Sequence, residues 1–325
     1  MVAPSRPVLA RSLPKSTFPY HFQRLKTTLY CDVTTRSAHN TSHAIRTLAW
    51  SPLGNFVATG AGDRTLRVWN PEKPSVRYST ELRGHTGAVE KVAWHPLKEA
   101  ELASIGSEGV VRLWDVRSKD PMVGEVKIGS DGLTLVWSPD GEELLVGTKD
   151  DELHRISRST LSILSSQKQH SQTNQNIFSW SGNEVFVTTG EGQVKILDYP
   201  SLDPLHTINA HTSSIFSIEL SPPGTYLAIG GSDALISLWD TTDMICKRTL
   251  PSCVGPVKSV SFSFDGSYIV GGSDEGNTID IAHTETGEYV HSFDTQGGNQ
   301  CVAWHPRSYV LAYSCESPLG FRVVG

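Results

Sequence analysis

The residues that could do chemistry in this chain recur in a fixed order. A histidine, a hydroxyl residue, an acid and a tryptophan follow one another at His85, Ser104, Glu108 and Trp114. Such a set can serve catalysis, or it can be a buried hydrogen-bond network. The sequence has no metalloprotease, P-loop, nucleophile-elbow or dinucleotide signature, and its twelve histidines are dispersed without metal-ligand spacing. We therefore predict a chain without catalytic, cofactor or metal sites, in which these sets are structural.

The elements that carry these residues form a repeat. The stretch from Gly84 to Asp115 opens on Gly-His and closes on Trp-Asp, with three apolar strands between. Repeats of about 40–45 residues with these marks are typical of β-propeller blades of four strands each. One position that marks the repeat is the residue expected to end each first strand: Trp50, Trp94, Trp137, Trp180, Leu220, Phe262 and Trp304. A second is the acid after each second strand: Asp63, Glu108, Asp150, Glu191, Asp233, Asp274 and Glu316. Both predict an all-β propeller of seven blades.

Composition limits the function further. The 325 residues carry a net charge of -6, which argues against a globally basic nucleic-acid binder. The five cysteines are scattered and include no C-x-x-C pair, which indicates a reducing compartment. No stretch approaches the roughly 18 consecutive apolar residues of a membrane span. We expect neither a membrane nor a small-molecule substrate among the partners.

The N-terminus differs from the repeats. Residues 1–28 are basic, rich in proline and serine, and contain no acid, so we predict a disordered arm followed by a propeller over residues 29–325. A transit peptide is the alternative, but Pro7, Pro14 and Pro19 interrupt the helix it needs. The arm could also make a weak or indirect contact with RNA.

The last repeat has three strands, so we expect the strand near Leu29–Ser37 to complete it and close the ring. Deleting residues 1–37 should then unfold or aggregate the protein, because it leaves three strands and an open edge, whereas deleting residues 1–20 should not. The ends of the chain would hold each other.

Three blades carry the recurring polar set. In WD-repeat proteins these residues share hydrogen bonds across a blade, which satisfies groups that would cost about 1–3 kcal/mol each if buried alone. Blade five has Ile229 where the hydroxyl is expected. The predicted members are His39 (with His43 in reserve), Thr59, Asp63 and Trp69 in blade one; His85, Ser104 and Trp114 with Glu108 in blade two; and His211, Asp233 and Trp239 in blade five.

Several strings resemble one family of WD-repeat proteins, the third subunits of the THO complex. They are Ile279-Asp-Ile-Ala282 with Glu285-Thr-Gly287, the run Asp233–Asp240 (DALISLWD), Ser138–Gly141 (SPDG) and Ala303–Pro306 (AWHP). The resemblance covers roughly residues 37–315; Cys315–Gly325 is short where this family is expected to have a longer acidic loop. It implies a non-catalytic scaffold subunit in the nucleus that couples transcription to mRNA processing and export. The implied partners are the other THO subunits, especially the large helical one.

One other function stays open at this point. Trp114-Asp115-Val116-Arg117 resembles the W-D-x-R string of WD-repeat substrate receptors of cullin-RING ubiquitin ligases. An arginine two places after W-D is also common in ordinary repeats, where it solvates the edge of a blade. Co-purification separates the two, because a receptor would bring a ligase adaptor and no THO subunits.

The loops before the first strand and between the second and third strands should gather on one face of a propeller. Mixed charges at such a rim favour specificity and association rate, so we predict a docking patch there for an elongated helical partner. Solvated loops are the competing interpretation. The candidate residues are Arg64, Glu108, Lys149, Asp150, Asp151, Thr212 and Ser213.

Overall fold

The computed structural model describes residues 12–31, 44–71, 79–251, 254–316 and 319–325, without the side chains of Glu316 and Leu319. These residues form seven antiparallel sheets of four strands each and one short helix, α1 (Phe18–Phe22). The predicted seven-bladed β-propeller is confirmed. The described part of the chain has no helix with the length and apolar character needed to cross a membrane.

The first three blades follow the chain in order from the inside of the ring outwards. Blade one contains β2 (Ile45–Trp50), β3 (Val57–Ala61), β4 (Leu66–Trp69) and β5 (Thr80–Leu82). Blade two contains β6 (Val89–Trp94), β7 (Glu101–Gly106), β8 (Val110–Asp115) and β9 (Met122–Lys127). Blade three contains β10 (Gly132–Trp137), β11 (Glu143–Thr148), β12 (Glu152–Ser157) and β13 (Ser162–Lys168).

The remaining blades repeat this order, except that the outer strand of the last blade comes from the N-terminal part of the chain. Blade four contains β14 (Thr173–Phe178), β15 (Glu184–Thr189), β16 (Gln193–Asp198) and β17 (Pro204–Asn209). Blade five contains β18 (Ile215–Leu220), β19 (Tyr226–Gly231), β20 (Ile236–Asp240) and β21 (Cys246–Leu250). Blade six contains β22 (Val257–Phe262), β23 (Tyr268–Ser273), β24 (Thr278–His283) and β25 (Tyr289–Asp294). Blade seven contains β26 (Val302–Trp304), β27 (Leu311–Glu316), β28 (Leu319–Val324) and β1 (Thr27–Tyr30).

The ring closes because the first strands of successive blades contact each other, β2 of blade one against β26 of blade seven included. Apolar side chains of neighbouring blades meet between the sheets; Leu66 and Val68 of blade one, for example, pack with Trp94 and Trp114 of blade two. Middle strands are apolar on both faces, as β3 and β19 show, because each blade is covered on both sides.

Closure by the N-terminal strand occurs a few residues earlier than the pattern suggests. Strand β1 pairs with β28 from Thr27 opposite Val324 to Tyr30 opposite Phe321, and the Tyr30 ring stacks on the Phe321 ring at 5.1 Å. Residues 32–37 of the expected strand lie outside the described residues.

The arm expected to be disordered is instead folded over its described part, residues 12–28. Phe18 is fully buried, and its ring stacks on that of Tyr268 at 3.8 Å. The hydroxyl of Tyr268 donates to the Leu13 carbonyl at 2.8 Å, and the Leu13 amide donates to the Tyr309 hydroxyl at 3.0 Å. The segment is therefore a strap across blades six and seven. Contrary to the prediction from the sequence, we now expect deletion of residues 1–20 to destabilise the protein.

Antiparallel order sorts the loops into two faces. Loops before the first strand and between the second and third strands lie on what we call the upper face. Loops between the first and second and between the third and fourth strands lie on the lower face. All the predicted rim residues belong to the upper face.

Candidate functional site

The polar set of blade two forms one continuous hydrogen-bond chain. The indole N–H of Trp114 donates to Ser104 Oγ at 2.8 Å, and Ser104 Oγ lies 2.6 Å from Nε2 of His85. Nδ1 of His85 is 2.6 Å from Glu108 Oε1, which also accepts from Arg112 at 2.6 Å. When His85 is neutral and carries its proton on Nδ1, the Trp114 indole, the Ser104 hydroxyl and the His85 ring each donate to an acceptor.

Burial and hydrogen bonding set the protonation states in this hydrogen-bond network of blade two. Burial lowers the pKa of His85, more than the neighbouring Glu108 raises it, so the ring is neutral at pH 7. For Glu108, burial alone would raise the pKa, but its interactions with His85, with its own backbone amide and with Arg112 outweigh burial, and the pKa is lowered. The only full charges are thus the Glu108–Arg112 ion pair, so Glu108 is committed inside the blade and is a poor candidate for partner binding.

Blade five builds the same chain with its hydroxyl on a different strand. His211 Nδ1 lies 2.9 Å from Asp233 and its Nε2 lies 2.8 Å from Ser237 Oγ. The indole N–H of Trp239 donates to the same Ser237 oxygen at 2.9 Å. Ser237 is paired across the strands with Ile229, the position where the hydroxyl was expected. Sequence reasoning missed Ser237 because it compared positions along one strand and not across the pair.

Blade one contains part of the same hydrogen-bond network within the described residues. Trp69 donates from its indole nitrogen to Thr59 Oγ1 at 3.0 Å. Asp63 forms a two-bond ion pair with the buried Arg67, at 2.6 and 3.2 Å, and accepts from the Thr65 amide. His39, the predicted histidine, lies outside the described residues, as does His43.

The rim residues on the upper face fall into two kinds. The turn between the second and third strands places the residue after the acid in the left-handed region: φ is 69° at Arg64, 63° at Asp151 and 63° at Ala234. Glycine occupies the same place in blades two and four, as Gly109 and Gly192. Arg64 is exposed, but Asp151 is a half-buried turn residue whose carbonyl accepts from Gln169 at 2.6 Å.

The other rim residues are more accessible. Lys149 and Asp150 are exposed at the blade-three turn, with Lys149 Nζ 3.5 Å from Asp131. Thr212 is exposed before β18, and Ser213 beside it is half-buried. The structure therefore places Lys149 and Asp150 side by side on the exposed surface, whereas Glu108 and Asp151 are partly buried and contribute to the fold.

The lower face carries bridges between blades that sequence reasoning did not find. Indole nitrogens donate to carbonyls of the preceding blade, from Trp94 to Ala49 at 3.0 Å and from Trp137 to Ala93 at 3.1 Å. Trp180 departs from this pattern. It lies two residues beyond β14, which ends at Phe178, is 51% exposed, and donates forward to Ser221 of blade five at 3.1 Å.

Two histidines complete these bridges. The ring of His95 packs 4.8 Å from that of Trp137, and the ring of His305 packs 4.8 Å from that of Trp50. Burial lowers the pKa of His305 to about 4 and also lowers that of His95. The signal in the sequence was the string Trp-His-Pro, which occurs at both positions.

The string that suggested a ligase receptor has a local explanation. The guanidinium of Arg117 donates to Glu99 at 3.1 Å, and its amide donates to Asp115 at 3.0 Å. Both partners belong to blade two. Arg117 thus holds the edge of its own blade, as the ordinary interpretation expects.

Comparisons with known proteins agree with this architecture. The family model described as WD domain, G-beta repeat matches residues 31–70, 77–115, 202–240 and 244–279, which fall on blades one, two, five and six. The β-propeller domain of Cps50 (Swd1) from Myceliophteria thermophila superposes with a TM-score of 0.76 at 16% identity, over 89% of this chain and 98% of that one. At that identity the match concerns the fold.

Two relatives are similar in sequence. THO complex subunit 3 of Arabidopsis thaliana is 36% identical over 272 residues, 83% of this chain and 86% of that protein. The WD repeat-containing protein AAC3 of Dictyostelium discoideum is 30% identical over 83% of this chain, which spans 61% of its length. The ligase alternative is not favoured by these matches. With its seven blades, its WD repeats and this degree of identity, the chain belongs to the THO complex subunit 3 family.

Proposed function

We propose that the protein is a non-catalytic scaffold subunit of a nuclear THO complex, which couples transcription to mRNA processing and export through protein–protein contacts. The observation that carries the proposal is the 36% identity to THO complex subunit 3 over 86% of that protein. The hydrogen-bond chains support it, because the histidine, serine and acid sets that resemble catalytic groups satisfy one another inside the blades.

The partner surface that we propose is the upper rim at blade three, and the partner is the large helical THO subunit. Lys149 and Asp150 stand exposed there with opposite charges, which suits orientation of a partner more than raw affinity. Asp151 and Glu108 are left out because they serve the fold. Weak RNA contact through exposed Arg24 and Lys26 of the strap stays a prediction.

The first experiment is affinity purification of the tagged full-length chain from nuclei, followed by mass spectrometry. We expect the THO subunits, and recovery of a cullin-RING adaptor without them would contradict the proposal. The second compares Lys149→Glu/Asp150→Lys with Lys119→Glu/Asp120→Lys, an exposed pair of the same charges on the lower face. Only the first pair should weaken capture of the large subunit at physiological salt, with melting temperatures unchanged; equal capture would remove this rim from consideration.

A further inference from the structure

The outermost strand of blade three, which we call the β13 edge (Ser162–Lys168), differs from the other outer strands. It is the longest of the seven, and six of its seven residues are exposed. Five of the other six outer strands have a buried side chain at or next to their last residue, namely Leu82, Val126, Ile208, Leu250 and Tyr30. The β13 edge has no buried side chain, so blade three does not hold it by packing.

The β13 edge has few of the charges that normally protect an exposed strand, because Lys168, its last residue, is its one charged side chain. From Ser159 to Gln167 the chain carries no charged residue and no proline. Five of the other six outer strands carry a charge or a proline, and β1 carries neither; the residues are Glu81, Glu125 with Lys127, Pro204, Lys247 with Arg248, and Asp294. Natural sheets use charges and prolines at open edges to prevent another strand from pairing there. The run from Ser162 to Gln167 has neither, and such a run is a template for strand addition.

The backbone groups available for pairing can be assigned. The Gln169 amide donates inwards to the Asp151 carbonyl at 2.6 Å, and Lys168 stands opposite Glu152 in the register. Inward and outward amides alternate along an antiparallel strand, so the N–H groups of Ser166 and Lys168 point away from the sheet. These are the groups that an added strand would cover.

The two ends of the β13 edge offer different chemistry. Beside its start a cleft of about 240 Å³ opens between blades two and three, walled by Trp114, Trp137, Val123 and Leu161. Arg158 in this cleft is already paired with Glu101 at 2.6 Å, so the cleft suits an aliphatic side chain. At the other end Lys168 is exposed, and within the described residues no carboxylate forms an ion pair with it.

Exposed aliphatic residues extend the same surface. Ile163 and Leu164 are 39% and 49% exposed at the start of β13, and Val123 of the adjoining blade is 59% exposed. Contiguous exposed apolar residues mark interaction sites more often than isolated ones do. The aliphatic end, the open amides and the uncompensated lysine lie along a single strand.

We propose that the β13 edge binds an extended segment of another THO subunit by strand addition. The segment is about seven residues long, places an aliphatic side chain in the cleft beside Leu161, and sets a carboxylate on Lys168. This inference rests on the proposed function but concerns a different surface from the upper rim. A second copy of the chain is the competing occupant.

The test uses the full chain, alone and co-expressed with the large helical THO subunit. Hydrogen–deuterium exchange in the peptide covering Ser162–Gln169 should slow at least about tenfold in the complex, while β21 exchanges as in the free chain. Leu164→Lys should weaken assembly about tenfold, and Lys168→Glu should weaken it in the same direction. The matched control is Ile245→Lys, a 55% exposed aliphatic residue just before the outer strand of blade five, which should assemble as the wild type does.

The outcomes separate the two proposals. A complex that forms with unchanged exchange in β13, or one that Leu164→Lys leaves intact, would overturn strand addition while leaving the scaffold function standing. A wild-type chain that does not assemble with THO subunits would overturn both. Dimers of the free chain by light scattering that Leu164→Lys abolishes would assign the edge to a second copy instead.

Discussion

At the scale of single residues, the polar chains show that a position in space matters more than a position in the sequence. Blade two supplies its hydroxyl from Ser104 on the second strand, and blade five from Ser237 on the third. Both oxygens accept from the tryptophan and contact the histidine, so the same three groups are satisfied. The histidine and the acid could be predicted from their spacing, whereas the hydroxyl could not, because cross-strand register is not visible in a linear pattern.

Ser237→Ala should lower the free energy of unfolding by about 1–3 kcal/mol, because His211 Nε2 and the Trp239 indole lose their buried partner. Ile229→Thr restores a hydroxyl at the position that blade two uses. We therefore expect the double variant to be less destabilised than the sum of the single changes, by on the order of 1 kcal/mol in urea unfolding. Strictly additive losses would mean that the two positions do not share one hydrogen-bonding role.

At the scale of elements, the strands were predictable and the N-terminal strap was not. Six of the seven residues chosen as ends of the first strands do end them, because an aromatic or apolar residue there packs against the preceding blade. Trp180 misled the pattern since β14 already ends at Phe178. The strap was missed because its prolines and basic residues are typical of disorder, while its buried side chains are two aromatic residues, Phe18 and Phe22.

The strap can be tested with two substitutions on α1. Phe18→Ala removes a fully buried ring that stacks on Tyr268, and should cost roughly 3–5 kcal/mol. Tyr20→Ala, on the same helix, removes a ring that is 67% exposed and should change stability by less than about 0.5 kcal/mol. Chemical denaturation of both variants is the measurement, and equal stabilities would show that the strap does not hold the last two blades.

At the scale of the whole molecule, stability depends on how each blade is joined to the next. The seven blades and the closure of the ring follow from the repeat and from the missing fourth strand. The surface for partners does not, because the turn residues of an upper rim and the residues of a mostly uncharged outer strand cannot be told from ordinary loops and strands in a sequence. The Trp-His-Pro bridges belong to the same scale, since each histidine contacts a tryptophan of an adjacent blade, and His305 reaches Trp50 from the opposite end of the chain.

These bridges should make the stability of the propeller sensitive to acid. Nδ1 of His305 accepts the Arg307 amide at 3.1 Å, and Nδ1 of His95 accepts the Leu97 amide at 3.1 Å, so both rings must be neutral. Burial holds the pKa of His305 near 4, below the ordinary value of 6.5, and lowers that of His95 in the same direction. Between those values the unfolded chain binds more protons than the folded one, so their contribution to stability is complete above pH 6.5 and is lost as the pH falls towards 4.

The matched variant replaces both histidines by serine, the residue that stands before proline at the equivalent turn of blade one as Ser51 and of blade three as Ser138. His95→Ser/His305→Ser should be less stable than the wild type at pH 7, because the packing on Trp137 and Trp50 is lost. Its disadvantage should shrink between pH 7 and pH 5, since only the wild type has these rings to protonate on unfolding. A difference in unfolding free energy that stays constant over this range would show that the two bridges do not titrate with the fold.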